Sequence, residues 1–273
     1  MADDGGDDLA VRLVAGGATM LALSTLADSG MEHYRGSFRN PAMVLPLASS
    51  SMAIAFNGRR LARPRPGERT GPLVSHLTST ATGLIGLGFH FYNVTKRPGG
   101  LGFTNLFYGA PAGAPFALTM AGLFGSVADR LARGKRRLGP MHVTSGRAIG
   151  ALTSFGLIGT VAEAALLHFR GAYHNPAMWF PVILPPAAAA SMARDVIDDT
   201  PRAVTTALLG ATAAMGLIGA GFHAYGVSRN MGGWKNWRQN FLVGPPVPAP
   251  PAFTGIAIAG LGALLLMKRR QAK

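Results

Sequence analysis

The sequence predicts an all-α, polytopic integral membrane protein: about eight transmembrane helices, built as a four-helix unit duplicated in parallel. Three observations predict it. The composition is 48% hydrophobic and only 14% charged, where a soluble domain carries about a quarter charged residues. The apolar residues fall into eight long runs separated by short basic or proline-rich loops. The same motifs recur about half a chain apart.

The runs are, in order, 9–34, 41–57, 72–94, 111–131, 146–169, 176–196, 202–227 and 250–268. Several approach the ~20 residues that carry a helix across a bilayer. Residues 1–8, "MADDGGDD", read as an acidic disordered tail without the basic n-region of a signal peptide. The second run is the shortest. It opens on Asn40-Pro41, as the sixth opens on Asn175-Pro176, with proline at a first helical position where its missing N–H costs nothing. Pro46 and Pro181 fall inside these runs and are expected to kink them.

"HYRGSFRNPAMVLP" (33–46) matches "HFRGAYHNPAMWFP" (168–181), and "GAPAGAPFALT" (109–119) matches "GPPVPAPPAFT" (244–254), both at an offset of 135 residues. Between them "GLIGLGFHFY" (83–92) matches "GLIGAGFHAY" (216–225). The expected units are 9–137 and 138–273. Four crossings per unit return the chain to its starting side, so the repeat is parallel and equivalent residues share one membrane depth.

Charge sets the expected orientation. The loops "GRRLARPRPGER" and "DRLARGKRRLG", the terminal "MKRRQAK", and Arg12, Arg147, Arg194 and Arg202 put 18 of the 26 Lys+Arg on one side. That side should be cytoplasmic, with both termini inside the cell and the chain in an inner or plasma membrane. The net charge of +14 is thereby accounted for by helix orientation and anionic lipid, and nucleic acid is not an expected partner.

His33, His90, His168 and His223 close the first, third, fifth and seventh runs and so form one outer layer. Four residues before them stand Ser29, Gly86, Ala164 and Gly219. On a helix these small residues lie beneath the imidazoles and leave room for a flat group. An imidazole above such a strip is a candidate axial ligand for haem or a chlorin, and the four together for copper or zinc. Small residues are equally the currency of transmembrane helix packing. Asp28 and Glu163 occupy equivalent positions, as do Arg35 and Arg170 seven residues later, a spacing suited to an ion pair or shared network. Glu32 has no acidic counterpart, and His76 and His142 have no partner in the other half and are assigned to the inner side.

Cysteine is absent, which excludes disulfides, thiolate metal sites and a cysteine nucleophile. No phosphate-cradling loop, HExxH or GxSxG occurs, which points away from a stand-alone enzyme. Three functions remain as expectations. The first is a cofactor protein using the histidine layer for electron transfer or ligand handling. The second is a structural or assembly subunit that meets other membrane subunits through its aromatic external loops, where Phe103, Phe107, Trp234 and Trp237 lie. The third is a transporter of small solutes or ions.

Overall fold

In a computed structural model, which describes residues 4–65, 67–135 and 145–272, every regular element is helical. Eight helices are long: α1 (Asp4–Arg35), α2 (Leu45–Ala62), α3 (Thr70–Thr95), α5 (Gly113–Ala132), α6 (Ser145–Arg170), α7 (Phe180–Asp198), α8 (Ala203–Ser228) and α10 (Pro251–Gln271). Two short ones, α4 (Phe103–Phe107) and α9 (Trp237–Val243), lie in the aromatic loops between the long runs. Among the described residues five helices are long and apolar enough to cross a membrane, spanning Asp7–Arg35, Ser145–Arg170, Pro176–Asp198, Ala203–Ser228 and Pro251–Gln271.

Two local expectations are revised. Residues 4–8 of the acidic segment are the opening of α1 instead of a loose tail; carboxylates at a helix N-terminus are favoured by the exposed amides there. Residues 1–3 lie outside the described residues, as does His142. Pro46 and Pro181 do not kink their helices. Each run opens with a 3-10 turn, Pro41–Val44 or Pro176–Trp179, so the α-helix begins late and these prolines fall in its first turn. There the missing N–H has no partner to lose. Among the described residues, the prolines beyond a helix's first turn are Pro185 and Pro186 of α7.

The turn before each 3-10 element is built the same way twice. Ser37 and Phe38 adopt left-handed backbone at φ 57° and 47°, and Ala172 and Tyr173 do so at 54° and 47°. Asn40 and Asn175 then accept a 2.9 Å hydrogen bond from the amides of Ala42 and Ala177. A pair of non-glycine residues in this region carries strain, so its recurrence means that both turns are held by their surroundings.

Helices α1, α5, α6 and α10 form the centre, with α2 and α3 flanking one side and α7 and α8 the other. The centre is lined by Leu21, Met120, Phe124, Ile149, Leu157 and Ile256. Its two crossings differ. Where α1 meets α10, a side chain at Gly17 would strike the carbonyl of Gly255, and one at Gly255 would come within 2.7 Å of the Gly17 carbonyl. Backbone therefore packs on backbone. The positions 135 residues away in each case are Leu152 and Met120. At that second crossing Met120 instead wedges toward Gly156, and Phe116 toward Gly159, which holds α5 and α6 further apart.

The outer surface inverts the soluble pattern. Leu84, Ile85, Phe155, Ile158, Ile183 and Ile218 are all more than half exposed, while Ser50, Ser75, Thr153, Thr205, Thr212 and Asp195 have no exposure at all. Large apolar side chains outside and small polar ones inside suit a lipid surround, where helices associate through small residues and internal hydrogen bonds.

Candidate functional site

The four histidines all perform the same local task. Nδ1 of His33 lies 2.7 Å from the carbonyl of Met43, and Nδ1 of His168 lies 2.9 Å from that of Met178. His90 meets the carbonyl of Pro111, and His223 meets that of Pro246 at 2.8 Å. Each imidazole thus ties the end of one long helix to the segment that leads into the next long helix. A carbonyl accepts only, so the proton is assigned to Nδ1 and Nε2 keeps its lone pair. This is the arrangement in which histidine is oriented for a ligand, and also the arrangement of a purely structural clamp.

The glycine-rich repeats find their explanation in helix crossing. A side chain at Gly83 would strike Thr119 and come within 2.6 Å of the Pro115 carbonyl; one at Gly216 would strike Thr254 and come within 2.8 Å of the Pro250 carbonyl. Gly86 and Gly219 face Pro115 and Pro250. The strips beneath His90 and His223 are therefore covered by α5 and α10, and the flat group expected there would need a different approach. Gly88 and Gly221 face open space.

The structure gathers His90, His168 and His223 around one cavity and leaves His33 off its lining. This chamber has a volume of about 2100 Å³ and draws walls from both halves. Its apolar lining includes Phe91, Phe107, Met215 and Phe222, and Asp28 and Glu163 reach it from α1 and α6. Among the described residues no three His, Asp or Glu side chains converge as metal ligands. Each of the four histidines has Nδ1 engaged by a carbonyl of a later segment, which leaves Nε2 as its remaining ligating atom.

The charges pair differently from the spacing argument. Arg35 bridges to Glu32, the acid without a counterpart, at 2.9 Å, and also donates to the Leu242 carbonyl. Arg170 lies over the rings of Phe107 and Tyr108, 5.6 and 5.8 Å from their centroids. Neither Asp28–Arg35 nor Glu163–Arg170 forms an ion pair. Glu163 reaches across to the opening of α5, where its carboxylate accepts the Gly113 N–H. An acid at a helix N-terminus satisfies amides that have no intrahelical partner.

Asp28 lacks the matching donor. In the equivalent segment, "PPVPAPP", the position of Gly113 is taken by Pro248, which carries no N–H. Asp28 makes no hydrogen bond among the described residues, while neighbouring Ser24 donates to the Pro248 carbonyl at 2.6 Å. Two equivalent acids are thereby split into a structural cap and an unsatisfied carboxylate facing the chamber. The difference is hidden in the sequence around the two acids, because the missing donor belongs to a segment more than 200 residues away from Asp28.

The opposite, basic end holds residues that sequence analysis passed over. Arg60 of α2 pairs with Asp129 of α5, which also meets Arg133 at 3.2 Å. In the second half Asp195 is wholly buried and meets the Arg202 guanidinium at 2.7 Å.

All-helical, with five helices fit to cross a bilayer and an apolar exterior, the molecule has the make-up of a multi-pass membrane protein. Comparison with family models, with curated proteins and with solved structures finds no match to the chain.

Proposed function

We propose that this protein is a membrane binding protein whose chamber takes a large, mainly apolar ligand bearing a cationic or metal-centred polar group. The observation that carries this reading is Asp28: a carboxylate without a hydrogen bond, in the wall of an apolar chamber of about 2100 Å³. An unpaired carboxylate in low dielectric is costly and strongly favours a positive partner. Pockets of this kind fix orientation with few polar groups among apolar walls. In its cofactor form the ligand is a haem or chlorin reached by Nε2 of His90, His168 or His223, and the role is electron transfer or ligand handling. The test is purification from native membranes, followed by absorption spectroscopy, metal analysis and mass spectrometry of the organic extract. A stoichiometric ring or amine ligand is expected; bulk phospholipid alone would sink the reading.

The same proposal includes eight spans and two copies of one unit. The 18 residues of α2 rise about 27 Å at ~1.5 Å per residue, close to the ~30 Å hydrocarbon core. α3 and α5 are longer, at 26 and 20 residues. The repeated histidine–carbonyl ties and left-handed turns support the copies. With the basic end in the cytoplasm, reporter fusions after Glu68 and at the C-terminus should read cytoplasmic, and one near Gly100 external. An external C-terminus would overturn this topology.

An assembly role is favoured by one observation. Around α9, Trp234 is 52% exposed, Trp237 61% and Met231 92%, an aromatic surface of the kind found at membrane interfaces and subunit contacts.

A further inference from the structure

The two halves differ most in what they bury between their outer helices. In the first half the facing positions of α2 and α3 are Ser50, Asn57 and Arg60, and Ser75, His76 and Ser79, all buried. The matching positions of the second half are Pro185, Met192 and Asp195, and Leu208, Leu209 and Thr212. At the middle of the interface the second half places Pro185, Met192, Leu208 and Leu209 where the first half carries a column of Ser50, Asn57, Ser75 and His76.

That column is unsatisfied. Asn57 is 1% exposed, yet neither its amide nitrogen nor its carbonyl oxygen has a partner. His76 is 3% exposed with Nδ1 unpaired, and the hydroxyls of Ser50 and Ser75 are unpaired as well. Ser79 is satisfied, donating to the Ser75 carbonyl at 2.8 Å, and Arg60 pairs with Asp129. A buried polar group without a partner is destabilising, and native interiors fill such gaps with ordered water.

A cleft lies beside one end of the column. This cleft, at the basic end, has a volume of about 480 Å³ and is lined by Phe56, Arg60 and Pro72. Pro72, Ser75, His76 and Ser79 are at helical spacing 0, 3, 4 and 7, so the buried face of α3 runs without interruption from the cleft to Ser79. The charges that face His76 are Arg60 from α2 and Asp129 from α5, and these pair with each other beside the cleft. Further in, only neutral groups remain, donors and acceptors together.

We propose that the first half contains a water-binding pocket, open to the basic face and ending near Ser79, in which Asn57 and His76 hold uncharged hydrogen-bonding molecules, water in the first instance. The second half is sealed at the equivalent level by Met192 and Leu209. Charged solutes are disfavoured because an ion leaving water for this depth meets no compensating charge.

Because the chain lacks cysteine, single cysteines report water directly: only a hydrated thiol ionises and reacts. Ser75→Cys and Leu208→Cys are near-equivalent sites in the two halves. With a small water-soluble methanethiosulfonate applied from the basic face of membrane vesicles, Ser75→Cys should react at least tenfold faster than Leu208→Cys. Adding Asn57→Met and His76→Leu, which installs residues the second half already folds with, should slow Ser75→Cys to the Leu208→Cys rate. Equal rates in the two halves overturn the proposal. So does labelling of Ser75→Cys that is indifferent to the Asn57→Met and His76→Leu pair.

Discussion

Gly17→Leu is expected to separate α1 from α10 and to lower the melting temperature of the detergent-solubilised protein by about 10 °C. The added side chain would enter the space of the Gly255 carbonyl and of Ala259. Backbone cannot move aside as a flexible side chain can, so this overpacking falls at the high end of the usual range, about 3 kcal/mol. For a chain of this size each kcal/mol corresponds to ~2–4 °C. Gly88→Leu is the control, since nothing lies within 4 Å of a side chain there. Equal melting temperatures for the two variants would show that the central crossing is looser than drawn.

Asp28→Asn is expected to weaken binding of the native ligand by about 30-fold or more while leaving the fold intact. Removing one partner of a desolvated charge pair costs about 2–5 kcal/mol, and 2 kcal/mol is near 30-fold. Glu163→Gln at the equivalent position should behave the other way. Its carboxylate accepts the Gly113 N–H and faces the start of α5, so removing its charge should cost about 1 kcal/mol of stability or less and leave affinity within a few-fold. Ligand titration and thermal melting of both variants check this. Matched effects on binding would mean that both acids serve the ligand; an Asp28→Asn protein with wild-type affinity removes Asp28 from the site.

The positions of the eight long helices were readable because each is a sustained apolar run bounded by proline, glycine or basic loops. The late start of α2 and α7 was not. Asn40 and Pro41 correctly mark a helical start, but the first turn they open is 3-10, and hydropathy does not distinguish the two. The short α4 and α9 escaped for a related reason: five and seven residues give too little periodicity against an aromatic loop.

At the candidate site the histidines were legible by repetition, but their partners were not. Met43, Met178, Pro111 and Pro246 contribute only backbone carbonyls, and a carbonyl leaves no mark on side-chain identity. His76 was set aside for having no counterpart. That asymmetry is the signal that matters, because it becomes meaningful only when Asn57, Ser50 and Ser75 are seen buried beside it without partners.

The sequence by itself determined the helical class, the helix order and the residues that recur at 135-residue spacing. These follow from composition and local periodicity, which act within one helix. The tertiary structure alone decided which of two equivalent acids is satisfied, which glycines admit a neighbouring backbone, and which half buries polar groups. Each of those depends on donors, carbonyls or side chains delivered by a helix distant in sequence, and desolvation is set by what surrounds a group in space.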